Sequence, residues 1–287
     1  MNKKRGIIYS ATGDRFLNEA IISSRSFKKH HDLPLTIYTD IFNKEKAEKY
    51  FDDIRIINNP NYSFLDKIGP LIDPPYEENL FLDSDTYFLE NISSLYDILD
   101  TYSLAVCRAI GRIQFPIDVP DWFPELNTGL ILFTKNKRIR EIFIKWKELY
   151  LNQISLEKGI PHDQPSFRKI LFESKLPVYI IPNEFNFRTV SPNFAGRNFS
   201  VKVLHGRHRK FEQVGRIVNK NPEIVRLFIN DYRFLMNKNF TSLNPRQNER
   251  TIFKLLIKVI PFIAKIFFRL GLVRSDSIQK RKGHPKY

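Results

Sequence analysis

The sequence predicts an α/β fold built on a mostly parallel central sheet. Short apolar or β-branched runs recur through the first part of the chain, at residues 7–10, 35–39, 54–57 and 79–82. Helix-like segments with short connections separate them, the rhythm of strands joined by crossover helices. Hydrophobic residues make up 42% of the 287 and charged residues 27%. That balance builds a buried core and is unlike that of a disordered chain.

Each element has its own signal. Ile7-Ile8-Tyr9-Ser10 follows Gly6 and predicts the first strand. Residues 14–30 predict a helix, because Leu17, Ala20, Ile21 and Ser24 share one face and Asp14 sits in the first turn. Residues 35–39 are β-branched and aromatic, a second strand. A polar helix is expected over 43–51, a third strand over 54–57 and a helix over 61–72. Residues 79–82 form a fourth strand between Pro74-Pro75 and Asp83. Buried strands are expected at 104–107 and 130–133, helices at 138–151 and 163–174, and strands at 178–181 and 201–204. The proline-rich stretch 110–126, which carries Trp122, reads as a shaped loop, and 222–236 as a helix.

Composition also excludes. One cysteine, Cys107, rules out a disulfide framework within the chain and fits a reducing compartment. The apolar run at 7–9 is too short for a signal-peptide core. No apolar stretch reaches the ~18 residues of a membrane span. The net charge of +15 invites a nucleic-acid reading, but its distribution argues against one. Residues 1–200 hold 26 basic and 26 acidic side chains, so the whole excess lies in the last 87 residues.

The sharpest local feature is Leu80-Phe81-Leu82-Asp83-Ser84-Asp85. An apolar strand buried on both faces ends in two carboxylates, where open α/β sheets bind ligands. Two aspartates at i and i+2 repel unless a cation sits between them. Hard oxygen ligands suit Mg²⁺ or Mn²⁺, ions that also hold substrate phosphates. A solvated turn with helix-capping aspartates is the competing reading. Phosphatases of the haloacid dehalogenase type also place Asp-x-Asp after an apolar strand. They need Thr or Val two places after the second Asp, where this chain has Tyr87, with Thr86 one place early. Their motif usually lies on the first strand, whereas three strands precede it here.

Five segments, in order over residues 5–211, resemble GT-A fold glycosyltransferases, most closely the family 8 type that includes lipopolysaccharide galactosyltransferases and glycogenin. They are Ile8 to Phe16, Leu82-Asp83-Ser84-Asp85, Leu126 to Phe133 with its Asn127-Thr128-Gly129, His162-Asp163-Gln164-Pro165-Ser166-Phe167, and Phe185-Asn186-Phe187 followed by Val203-Leu204-His205-Gly206. The resemblance implies a single GT-A, Rossmann-like, nucleotide-diphospho-sugar transferase domain over 1–211. A helical extension over 212–245 and a basic tail over 246–287 would follow it.

The same resemblance implies roles. Asp83, Asp85 and His205 would ligate Mn²⁺ or Mg²⁺, and the imidazole suits Mn²⁺. Tyr9, Ser10, Ala11, Thr12 and Phe16 would hold base and ribose, with Tyr9 or Phe16 stacking on the base and Ser84 contributing from the metal motif. Lys67 would reach donor sugar hydroxyls or phosphate, and Asn127 and Gly129 would line the sugar site. Asp163 and Gln164 would sit beside the anomeric carbon, Asp163 also contacting the sugar. Taken singly, these residues have plainer readings. Asn127 could cap a turn, Asp163 could be a helix N-cap ahead of Pro165, and His205 and Lys67 could be solvated surface groups. The family's lysine some six residues beyond the histidine, with its Pro-Trp, is replaced by Arg207-His208-Arg209-Lys210-Phe211. Diphosphate binding therefore falls to Arg207, Arg209 or Lys210.

The tail adds a partner. On a helical wheel Arg250, Lys254, Lys258, Lys265 and Arg269 fall within an arc of about 100°, and the rest of residues 250–273 is apolar apart from Thr251. Pro261 kinks or splits such a helix. The pattern is that of a helix lying on an anionic membrane surface through residues 250–287. A helix docked on the core is the alternative. The expectation is a metal-dependent transferase, peripheral on the cytoplasmic face of the membrane. It would move sugar from a nucleotide-sugar donor, a UDP-sugar, to a glycan or lipid-linked acceptor with retention, with no nucleic-acid partner. A water-excluding lid would come from 110–126 or from the segment after His205. A non-catalytic binding protein on a degenerate transferase fold and the phosphatase are the alternatives.

Overall fold

The first strand, β1 (Arg5–Ser10), sends Ile7 and Tyr9 to one face and Ile8 to the other, and all three are fully buried. This period-two sorting recurs in each central strand and splits the core into two layers. The structure is a computed structural model that describes residues 4–111, 113, 118–156, 161–190 and 192–228. These residues lie within one unit, Met1–Met236.

Six further strands join β1: β2 (Leu35–Thr39), β3 (Asp53–Ile56), β4 (Glu78–Leu82) and, after a short strand β5 (Thr86–Phe88) that leaves the sheet, β6 (Leu104–Arg108), β7 (Leu126–Thr134) and β8 (Tyr179–Ile181). Their order is β3-β2-β1-β4-β7-β6-β8. The pairs β1–β2, β1–β4, β2–β3 and β6–β8 are parallel. The strand β7 runs antiparallel to both neighbours, β4 and β6. This is the mixed α/β, mostly parallel sheet that the sequence pattern predicts.

On one face Ile7, Tyr9, Leu80, Leu82, Leu130 and Leu132 pack against Leu17, Ala20 and Phe27 of α1 (Asp14–Lys28) and against Leu95, Tyr96 and Leu99 of a 3-10 segment. The other face carries Ile8, Phe81, Ile131 and Phe133. After the four-residue α2 (Lys44–Ala47), three helices cover it: α3 (Leu65–Ile72), α4 (Lys137–Leu156) and α5 (Gln164–Ser174). Pro70 inside α3 has no N–H for the carbonyl of Asp66. The Ser10 hydroxyl donates to that carbonyl at 2.8 Å, tying the end of β1 to the helix.

Two small sheets complete the described residues. β9 (Phe187–Arg188) and β11 (Val203–His205) join β5 in the order β5-β11-β9, and β10 (Asn193–Ala195) pairs with β12 (Arg226–Phe228). The helix α6 (Phe211–Val218) packs Val214 and Val218 against Phe187, Leu204 and Phe228. The helix expected over 222–236 is corrected: Arg226–Phe228 is a strand antiparallel to β10. Its Arg226 and Phe228 are buried and Leu227 is exposed, a period of two rather than 3.6. The polar helix expected over 43–51 is a 3-10 turn, Ile41–Asn43, followed by the short α2. The rest of 222–236, the 212–245 extension past Phe228, the 246–287 tail and part of the 110–126 loop lie outside the described residues.

Helix α4 positions the edge of the site. Trp146, Tyr150 and Gln153 lie on one helical face, at i, i+4 and i+7. Trp146 Nε1 donates to the carbonyl of Asp163, Tyr150 Oη to that of Pro161 and Gln153 Nε2 to that of His162, at 3.2, 2.8 and 3.0 Å. Trp146→Ala is expected to lower the unfolding free energy by about 3–5 kcal/mol in urea titration. Phe42→Ser, at a side chain that is 88% exposed, should stay within about 0.5 kcal/mol.

Candidate metal centre and donor cavity

The strand β4 ends at Leu82, and the chain turns through Asp83-Ser84-Asp85 into β5. The turn is pinned from both sides. Asp83 N–H donates to Gly129 O at 2.8 Å, continuing the β4–β7 ladder. Gly206 N–H donates to Asp85 O at 2.9 Å, continuing β5–β11, where His205 stands opposite Thr86. The φ of Gly206 is +121°, a value that side-chain-bearing residues rarely adopt.

These two ladders converge three side chains. His205 is buried, with Nε2 3.3 Å from Asp85 Oδ1 and 3.6 Å from Asp83 Oδ2. One ligand atom from each of the three lies within 4.8 Å of the others. Gly129 lets the imidazole pack directly on β7: a Cβ there would overlap His205 Cε1 and stand 2.7 Å from Asp83 Oδ2. A mixed carboxylate and imidazole set whose ligand atoms lie this close suits a divalent ion such as Mn²⁺. Gly129 serves the cluster by letting His205 close on β7.

Charge holds the carboxylates ionised. Burial pushes Asp83 up, but Lys67 and then His205 outweigh it, and its carboxyl lies below the ordinary range. Burial also raises Asp85, against which His205, then Arg207 and Arg188, hold it well below that range. Lys67 Nζ reaches Asp83 Oδ1 at 3.2 Å, Asp163 Oδ2 at 3.0 Å and Thr128 Oγ1 at 3.0 Å. Burial lowers the Lys67 ammonium, and Asp163 and Asp83 more than restore it. Lys67 donates to Asp83 and Thr128, pairs by charge with Asp163, and lines the cavity beside the cluster. Asp163 sits at the N-cap position of α5, yet its side chain makes no cap hydrogen bond and pairs with Lys67 instead.

The cluster opens into a cavity of about 570 Å³. Ser10, Ala11, Thr12 and Phe16 form one wall, with Ser84 beside the aspartates. Lys67, Asn127, Asp163, Gln164, Arg188 and Arg207 also line it. The Arg207 guanidinium lies 5.5 Å from the centre of the Phe16 ring and donates to Glu19 Oε1 at 2.7 Å. Two expected residues stand elsewhere. Tyr9 is fully buried, and its hydroxyl is paired with Ser23 at 2.9 Å. Alternation along β1 turns it into the core, whereas Phe16 lines the cavity. Lys210 is exposed ahead of α6 and does not line the cavity.

Arg188 and Asn186 were not singled out from the sequence. Arg188 lines the cavity, stands beside His205 across β9–β11, and places Nη1 2.9 Å from His205 Nε2. Asn186 Oδ1 lies 2.6 Å from His205 Nδ1. The signal was present in Phe185-Asn186-Phe187-Arg188, where alternating apolar and polar residues put Asn186 and Arg188 on one side.

No family model and no curated protein matches the sequence. Solved structures do. The galactosyltransferase LgtC, determined with donor and acceptor sugar analogues, superposes with a TM-score of 0.50 at 15% identity, over 71% of this chain and 87% of LgtC. Mouse xyloside xylosyltransferase 1, in its apo form, gives 0.47 at 12% identity, over 71% of this chain and 97% of that one. The glycosyltransferase GlyE of Streptococcus pneumoniae gives 0.48 at 16%, over 72% of this chain and 56% of GlyE. The likeness to LgtC establishes the fold: the chain has the Rossmann-like GT-A architecture of glycosyltransferases.

Gly129→Ala tests the close packing of His205 and Asp83 on β7. Mn²⁺ binding, measured by titration calorimetry, is expected to be lost, while the added methyl costs about 1–3 kcal/mol of stability.

Proposed function

We propose that the protein is a metal-dependent glycosyltransferase that moves a sugar from a nucleoside-diphosphate donor to a saccharide acceptor. The observation that carries this reading is the convergence of Asp83, Asp85 and His205 beside Gly129, in a cavity also lined by Arg188 and Arg207. Glycosyl transfer breaks the bond between the anomeric carbon and a phosphate oxygen, and negative charge grows on the departing diphosphate. A divalent ion held by the three ligands would neutralise that charge. Arg207 and Arg188 supply fixed positive charge on the same side of the cavity, aimed at charge that develops during reaction. Phe16 offers an apolar ring to the base. Asp163 and Gln164 also line the cavity, where the sugar would sit. The acceptor hydroxyl forms the new bond and gives its proton to the departing diphosphate.

The finer reading rests on the ordered motif resemblance and the fold. It is a UDP-sugar donor, Mn²⁺ rather than Mg²⁺, and retention of configuration. LgtC holds donor and acceptor sugar analogues, and the same pairing of substrates is proposed for this cavity. The acceptor is proposed to be a glycan or lipid-linked saccharide such as lipopolysaccharide, reached at the cytoplasmic face of a membrane. The basic, apolar sequence of 250–287 supports that placement. No described helix is long and apolar enough to cross a membrane.

With Mn²⁺ and a panel of nucleotide sugars, one donor is expected to release nucleoside diphosphate, and Asp85→Asn should reduce that rate by at least ~100-fold. Release of inorganic phosphate from phosphomonoesters would instead support the phosphatase. Donor binding without turnover would support the non-catalytic binding protein. Separately, Lys254→Gln, Lys258→Gln and Lys265→Gln together should weaken binding to phosphatidylglycerol vesicles by more than ~10-fold in co-sedimentation, at about 1 kcal/mol per cation.

A further inference from the structure

We infer that Asn186 is a positioning residue: it fixes which nitrogen of His205 faces the metal and, through the same hydrogen-bond chain, which end of the Gln164 amide faces the sugar. The inference deepens the proposed transferase reading and rests on it for the sugar end alone.

The chain has one direction, set by the backbone. Gly129 N–H can only donate, and it reaches Asn127 Oδ1 at 3.0 Å. Asn127 must therefore turn its oxygen inward. Asn186 lies 2.9 Å from that same oxygen and must present Nδ2 to it. This leaves Asn186 Oδ1 facing His205 Nδ1 at 2.6 Å, so Nδ1 carries the proton there. The lone pair of His205 is then on Nε2, the atom nearest Asp83 and Asp85. Arg188 Nη1, which can only donate, agrees with that tautomer by lying nearer Nε2, at 2.9 Å, than Nδ1, at 3.2 Å. A ligating histidine is commonly oriented in this way by an acceptor on its other nitrogen.

The other branch leaves from Asn127. With its oxygen inward, its Nδ2 donates outward to Gln164 Oε1 at 3.0 Å. Gln164 is left with Nε2 as its donor for a molecule in the cavity. A flip of any one amide would set two donors or two acceptors face to face. Asn186 and Asn127 are 2% and 5% exposed, so water cannot readily repair such a mismatch. One backbone N–H thus orients three side-chain amides and one imidazole.

The full chain, with isotopically labelled histidine and an NMR-active cadmium ion standing in for Mn²⁺, reads the imidazole directly. The resonances lost in His205→Gln are expected to show cadmium coupled to Nε2 and a proton on Nδ1. Asn186→Leu, which removes both limbs, should weaken Mn²⁺ about 10–100-fold, whereas Asn186→Asp, which keeps the acceptor for His205, should hold it within about threefold. Asn186→Asp offers Asn127 no donor, so kcat for sugar transfer should fall although the metal is still bound. Cadmium on Nδ1 in the wild type overturns the inference whatever the variants do, as does wild-type Mn²⁺ affinity in a folded Asn186→Leu. The spectra and metal titrations need no sugar donor, so they stand apart from any failure of the transferase reading.

Discussion

Two aspartates separated by one residue at the end of a buried strand repel each other, and the architecture of the site answers that repulsion. Asp83 leans on Lys67 from α3, and Asp85 on His205 from β11 with Arg188 and Arg207 nearby. Lys67 in turn holds Asp163 at the start of α5. Helices on one face of the main sheet and strands of a separate small sheet are thus drawn to one point by charge. Stripped of the compensating cations, two carboxylates in this setting would lose the ionised form needed to hold a metal.

The antiparallel strand β7 makes this geometry possible. It carries Asn127, Thr128 and Gly129 alongside the end of β4, so one segment supplies a partner for Lys67, an anchor for the amide chain and a surface on which His205 closes. Glycine is required at the third position because the backbone lies directly against His205 and Asp83. The same segment passes through the centre of the sheet, buried on both faces. The site therefore rests on one of the most deeply packed parts of the core, as preorganised electrostatics demand.

Much of this was legible along the chain. The strand ending in Asp-Ser-Asp, the Asn-Thr-Gly strand, the Asp-Gln helix start and the histidine each show a local pattern of apolar run and polar terminus. Other features were not. Tyr9 sits in a loop-proximal motif that resembles a nucleotide site, yet strand alternation sends it inward to Ser23. Residues 222–236 contain apolar residues at helical spacing, but pairing with β10 selects a strand at Arg226–Phe228. Pairing and burial are decided by partners distant in sequence, and local propensity yields to them.

The sequence by itself determined the sheet class, the order of its elements and the identities of the charged groups, because hydrophobic period and residue chemistry are written locally. It also confined the excess positive charge to the last 87 residues. Tertiary structure alone decided that Lys67 is tied among Asp83, Asp163 and Thr128, that Gly129 lets His205 pack on β7, and that Arg188 and Asn186 flank His205. Those outcomes depend on strand register and on residues meeting across 16 to 96 positions of sequence, as for Lys67 with Asp83 and Lys67 with Asp163. No local pattern encodes such meetings; only the packed core brings them about.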